Sequence, residues 1–144
     1  MAALALDLDA VLADTRPLWD AWLVDVARRA RVELDVPGDR AAAAAVLDER
    51  LGDWRPLLER FAADRAPLYF RPRPDTSALL RRLQAAGTRI GAFTDAPVEL
   101  AAIAVAHAGA ARRIETLGTL EEVLAELGDA AVVRSREELT LAAV

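Results

Sequence analysis

The chain has 144 residues, a formal net charge of −5, and a composition that is 54% hydrophobic and 28% charged. That length suits one domain of ordinary size, or one domain carrying a small insert, and the apolar content excludes a disordered chain. There is no cysteine, no lysine and one histidine, His107, which excludes disulfides, thiolate or lysine-amine catalysis, cysteine-ligated zinc and histidine-cluster metal sites. All 18 basic residues are arginine and 33 residues are alanine, a bias that fits GC-rich coding DNA. The arginines are scattered on an acidic chain, so no nucleic-acid partner is expected. The apolar start, residues 1–6, is too short for a signal peptide, and no apolar run reaches membrane-spanning length. A soluble cytoplasmic protein with no membrane partner is the expectation.

Residues 3–9 read as a buried strand whose far end carries two carboxylates, Asp7 and Asp9. A helix follows over residues 16–31, with Thr15 as its cap and Pro17 in its first turn. Asp39 caps a second helix through Leu51, with Gly52 just past its end. Asp53 is the expected cap of a third helix carrying Leu57, Leu58 and Phe61. Pro67, Pro72 and Pro74 argue against regular helix over residues 66–74.

From there strands and helices alternate. Asp75 is placed as a cap for a helix reaching Gly87. Residues 89–94 form a strand, 97–108 a helix, 113–117 a strand and 130–133 a strand. Thr119 with Glu122, and Ser135 with Glu138, have the spacing of capping boxes for the last two helices. Such alternation predicts a parallel α/β sheet, interrupted after its first strand by a helical insert. Six of the seven aromatics lie in or next to that insert, which predicts a small core of its own.

Ligands of open parallel sheets bind at the C-terminal ends of the strands. Asp7 and Asp9 end the first strand, Thr94 and Asp95 the second, and Arg134 the last. Paired carboxylates there can divide the work of phosphoryl transfer. One attacks phosphorus, and the other protonates the leaving oxygen. A neighbouring hydroxyl and backbone N–H can hold phosphoryl oxygens.

The run Asp7-Leu8-Asp9-Ala10-Val11-Leu12-Ala13-Asp14-Thr15 resembles the opening motif of haloacid dehalogenase-like phosphohydrolases, with Ala10 and Val11 as mild departures. The stretch from Phe70 through Leu79, Leu80, Leu83 and Gly87 to Asp95 is similar to that family's approach to its second motif. The resemblance implies a Rossmann-like core over residues 1–14 and 70–144, with a helical cap over residues 15–69. It implies Asp7 as nucleophile, Asp9 as acid/base, both as Mg²⁺ ligands, and Thr94 with Asp95 on the substrate side. A small phosphorylated metabolite would be the substrate of an active form.

Two departures weigh against an efficient hydrolase. The third motif is usually a lysine, and no arginine lies between Arg113 and Arg134 to replace it. Arginine and serine, at Arg134 and Ser135, stand where the fourth motif's first acid belongs. Two carboxylates about 5 Å apart repel by about 3 kcal/mol at an effective dielectric near 20, and a cation normally offsets this. The leading expectation is still a Mg²⁺-dependent phosphatase that uses Asp7 and Asp9; the alternative is a catalytically impaired binding or regulatory protein in which Arg134 pairs with Asp7 or Asp9 in place of the metal. The apolar tail residues Leu139, Leu141 and Val144 make a homodimer a candidate assembly.

Overall fold

The computed structural model describes residues 2–144. Four strands, β1 (Ala3–Asp7), β2 (Arg89–Phe93), β3 (Thr116–Gly118) and β4 (Ala131–Val133), form an all-parallel sheet in the order β3-β2-β1-β4. The described residues form seven α-helices, α1 (Arg16–Ala30), α2 (Arg40–Leu51), α3 (Arg55–Tyr69), α4 (Pro74–Ala85), α5 (Val98–His107), α6 (Leu120–Leu127) and α7 (Arg136–Ala142), of which α4 to α7 pack on the sheet. This is a Rossmann-like α/β fold with a helical insert between its first two strands.

Strand alternation sorts the core into two layers. Leu4, Leu6, Ile90 and Ala92 face Leu80 and Leu83 of α4, Val105 of α5 and Leu139 of α7. Ala3, Ala5 and Phe93 face Val123 and Leu127 of α6. Gly91 permits the close approach of α6. A Cβ at that position would lie 2.7 Å from Val123 Cγ1 and 2.8 Å from Thr116 Cγ2. Leu139 is thus core, which removes it from the apolar tail; Leu141 and Val144 stay exposed.

The insert does not bury its aromatics alone. Trp19, Trp22 and Trp54 pack with ring centroids 5.4 to 6.3 Å apart, but their cluster also takes in Leu100 and Ala104 of α5 and Ala108 just past its end. Three short helices expose too many apolar stripes to close on themselves, so α5 completes their core.

Several expected helix boundaries move. Helix α3 runs through Pro67 to Tyr69. Proline deprives only the Ala63 carbonyl of a partner, and both residues are exposed, so water can serve it. Asp53 and Asp75 are not caps; Trp54 and Arg73 hold those positions without a side-chain bond. β3 begins at Thr116 because Arg113 and Ile114 N–H groups both turn back to the Ala110 carbonyl. The Thr119–Glu122 capping box forms in full. Ser135 accepts from the Glu138 N–H, but the Glu138 carboxylate accepts from Arg134 N–H instead of closing a box.

Candidate functional site

β1 ends at Asp7, and the chain then winds into a five-residue π-helical turn, Leu8–Leu12. Leu8, Val11 and Leu12 are buried, which anchors the turn under the sheet edge. The turn separates the fates of the two carboxylates. Asp7 stays at the strand end and accepts one long bond, 3.3 Å, from the Ala10 N–H. Asp9 is carried toward the insert, where its side chain is only 9% exposed.

There Asp9 is saturated. Its Oδ1 accepts from the Thr15 N–H at 2.8 Å and from the Thr15 hydroxyl. Its Oδ2 accepts from the Thr94 hydroxyl at 2.7 Å and from Arg40 Nη2 at 3.0 Å. Thr15 is fully buried and holds the N-cap position of α1 without a side-chain capping bond; its hydroxyl accepts from Arg40 Nη1 at 2.6 Å while donating to Asp9. Thr94 is committed in the same way. Its hydroxyl donates to Asp9, accepts from the Ala96 N–H at 3.1 Å, and its own N–H donates to the Gly118 carbonyl.

Arg40 is the centre of this arrangement. It opens α2 yet its side chain is 2% exposed. Besides Asp9, it reaches Asp95 through Nε at 3.1 Å and Nη2 at 2.9 Å, and its backbone N–H donates to the other Asp95 oxygen at 2.9 Å. The Asp95 carboxylate is taken up by Arg40, and the N-terminal flank of α5 is Pro97 without a side-chain bond. Burial pushes the Asp95 carboxyl up, but the Arg40 N–H and guanidinium outweigh it and hold it below the usual carboxylate range.

The expected residues do come together. Asp7, Asp9, Thr94, Asp95 and Arg134 line one cleft of about 550 Å³ at the C-terminal edge of the sheet, with Arg16, Arg40 and Thr119. The expected partner of the carboxylates is corrected, however. The Arg134 guanidinium lies over the Phe93 ring, 5.4 Å from its centroid, and the ion pair to Asp9 comes from Arg40. The π-helical turn is the reason: it points Asp9 at Thr15 and the insert, within reach of α2.

Arg40 was not legible as a site residue. A cation in the first turn of a helix opposes the macrodipole, which is a signal. Arg16, Arg55 and Arg136 share it, opening α1, α3 and α7. Each of the four finds a different acceptor, and only the fold distinguishes them: Asp14 for Arg16, Glu99 for Arg55, the Val11 carbonyl for Arg136.

The Mg²⁺ implied by the family resemblance does not fit these residues. Both oxygens of Asp9 already accept two donors each, one of them a guanidinium. Among the described residues no group of three or more His, Asp or Glu side chains is placed to hold a metal ion. Nor is any helix among them long and apolar enough to cross a membrane. The chain matches no protein-family model and no curated protein.

Proposed function

We propose that this chain is a haloacid dehalogenase-like protein whose cleft holds a small phosphate ester without passing it through an aspartyl-phosphate cycle. The observation that carries this reading is the bonding of Asp9. In the cycle, an Asp7 oxygen would bond to phosphorus, the bond to the leaving oxygen would break, and the second carboxyl would give that oxygen a proton. Asp9 accepts two donors at each of its oxygens, so it has no open side toward a leaving group. Without lysine, and with Arg40 committed to Asp9 and Asp95, no buried cation among the described residues is left for the transferring phosphoryl group. Loss of one preorganised charge stabiliser commonly costs about 10²–10³ in rate. On the binding side, Arg134 stacks on Phe93 at the same cleft and keeps its N–H fork for an incoming anion.

One observation favours the rival reading, a phosphatase. Asp7 lines the cleft and has a single long backbone contact, so an oxygen is open to attack phosphorus. Mg²⁺-dependent hydrolysis of p-nitrophenyl phosphate by wild type and Asp7→Asn separates the two. Equal background rates are expected; a rate that Asp7→Asn abolishes would establish the phosphatase instead. Calorimetric titration with phenyl phosphate tests binding itself, and no heat at millimolar ligand would remove the phosphate-ester reading.

A further inference from the structure

We infer that Arg40 is the resident cation of this site: its guanidinium does permanently at Asp9 and Asp95 what a divalent ion would do there, and the two exclude each other. The inference rests on reading this cleft as the ligand site, and its test is kept separate from that reading.

The geometry has three parts. First, the guanidinium is buried and touches two carboxylates on different strand ends, Asp9 at 3.0 Å and Asp95 at 2.9 Å. A single planar cation thereby bridges β1's turn and the end of β2, as a point charge with several oxygen ligands would. Second, every nitrogen of the guanidinium has at least one acceptor. Nη1 meets Thr15, and Nη2 also lies 3.4 Å from the Thr94 hydroxyl. Among the described residues no buried side-chain N or O lacks a partner, so the charge is fully solvated by protein. Third, the placement is fixed by backbone. The Arg40 N–H binds Asp95, Asp39 caps α2 through the Ala41 N–H, and Ala43 and Leu47 seat the helix in the apolar cluster. A guanidinium held at both its head and its own backbone is preorganised, and a soluble ion entering the same carboxylates would have to displace it.

Asp7 is the one strand-end carboxylate here that Arg40 does not touch. It lies in the cleft beside Arg16 and Arg134, which are far more exposed. Ligand charge is therefore met by exposed arginines, and carboxylate charge by the buried one. Phosphate-ester binding should then be indifferent to both Mg²⁺ and EDTA.

The test is manganese binding, read by the loss of the free Mn²⁺ paramagnetic resonance signal, in the full chain. Wild type and Asp9→Asn are expected to bind Mn²⁺ equally poorly at 1 mM, about the concentration scale at which adventitious carboxylate sites fill. Arg40→Met is expected to bind at least about tenfold tighter than wild type, with the gain lost in Arg40→Met/Asp9→Asn. Arg40→Gln, which keeps donors but no charge, gives a second route if Arg40→Met does not fold by circular dichroism. Mn²⁺ binding by wild type that Asp9→Asn removes would overturn the inference, as would a folded Arg40 variant that gains nothing. Phenyl phosphate titrated in EDTA and in Mg²⁺ reads the ligand assignment separately: no binding in either fails that assignment alone, while binding only with Mg²⁺ overturns the resident cation.

Discussion

The two sides of the cleft use the same residue type in opposite ways. On the insert side Arg40 is buried, donates through Nε and Nη2 to one Asp95 oxygen, pairs with Asp9 and donates to Thr15. On the β4 side Arg134 is exposed and rests on the Phe93 ring. A guanidinium taken out of water must have its donors matched, and once matched it is part of the fold. An exposed one keeps its hydration and its freedom, so it can exchange partners with a ligand. Sequence position foretells neither role. Burial decides.

The comparison can be broken most forcefully at Arg40. Arg40→Ala leaves Asp9, whose side chain is 9% exposed, with the Thr15 N–H and two hydroxyls but no cation. It is expected to lower stability by about 3–5 kcal/mol, whereas Arg134→Ala stays within about 0.5 kcal/mol. Urea denaturation of both variants checks this; similar midpoints would erase the distinction between the two sides. Next comes Thr15→Val, nearly isosteric, which removes the hydroxyl bridging Arg40 and Asp9. A loss of about 1–3 kcal/mol is expected by the same measurement, since two buried polar groups lose a partner at once.

A smaller effect sharpens the other side. Arg134→Ala is expected to weaken phenyl phosphate binding about tenfold, roughly 1.4 kcal/mol, with melting temperature unchanged. Unaltered affinity would mean that the exposed arginine is only surface. The smallest effect is pH dependence at Asp95. Its carboxyl is held below the ordinary value, so its contribution is present above the unfolded value of about 3.9 and is lost as pH falls through the lower folded value. The stability gap between wild type and Asp95→Asn should therefore be constant near neutrality and shrink below about pH 4. A gap that widened with acid would contradict the Arg40–Asp95 pair.

Much of the fold was legible because its signals are local. Alternating strands and helices, Gly52 and Gly128 after helix ends, and the Thr119–Glu122 box each need only a few neighbouring residues. The errors fall where distant groups compete for the same side chain. Thr15 looks like a side-chain cap, and its hydroxyl is taken by Asp9 and Arg40 instead. The insert's tryptophans look like a separate core, and α5 shares it. Pro67 looks like a break, and the helix passes through it because the orphaned carbonyl faces water.

The candidate site divides in the same way. Strand-end chemistry at Asp7, Asp9, Thr94, Asp95 and Arg134 follows from alternation and topology, and those five residues meet in one cleft. The cation that binds two of them, Arg40, sits 31 residues beyond Asp9 in an alanine-rich helix. Four of the seven helices open on arginine, so no local rule selects it.

The missing lysine, a fact of composition alone, determined that any cation built into this site had to be an arginine. Which arginine was decided by tertiary structure. A π-helical turn rotates Asp9 toward the insert, and the packing of Ala43 and Leu47 brings Arg40 to meet it. Sequence fixes charge and propensity residue by residue, whereas the pairing of two buried charges depends on distances that only the folded chain sets.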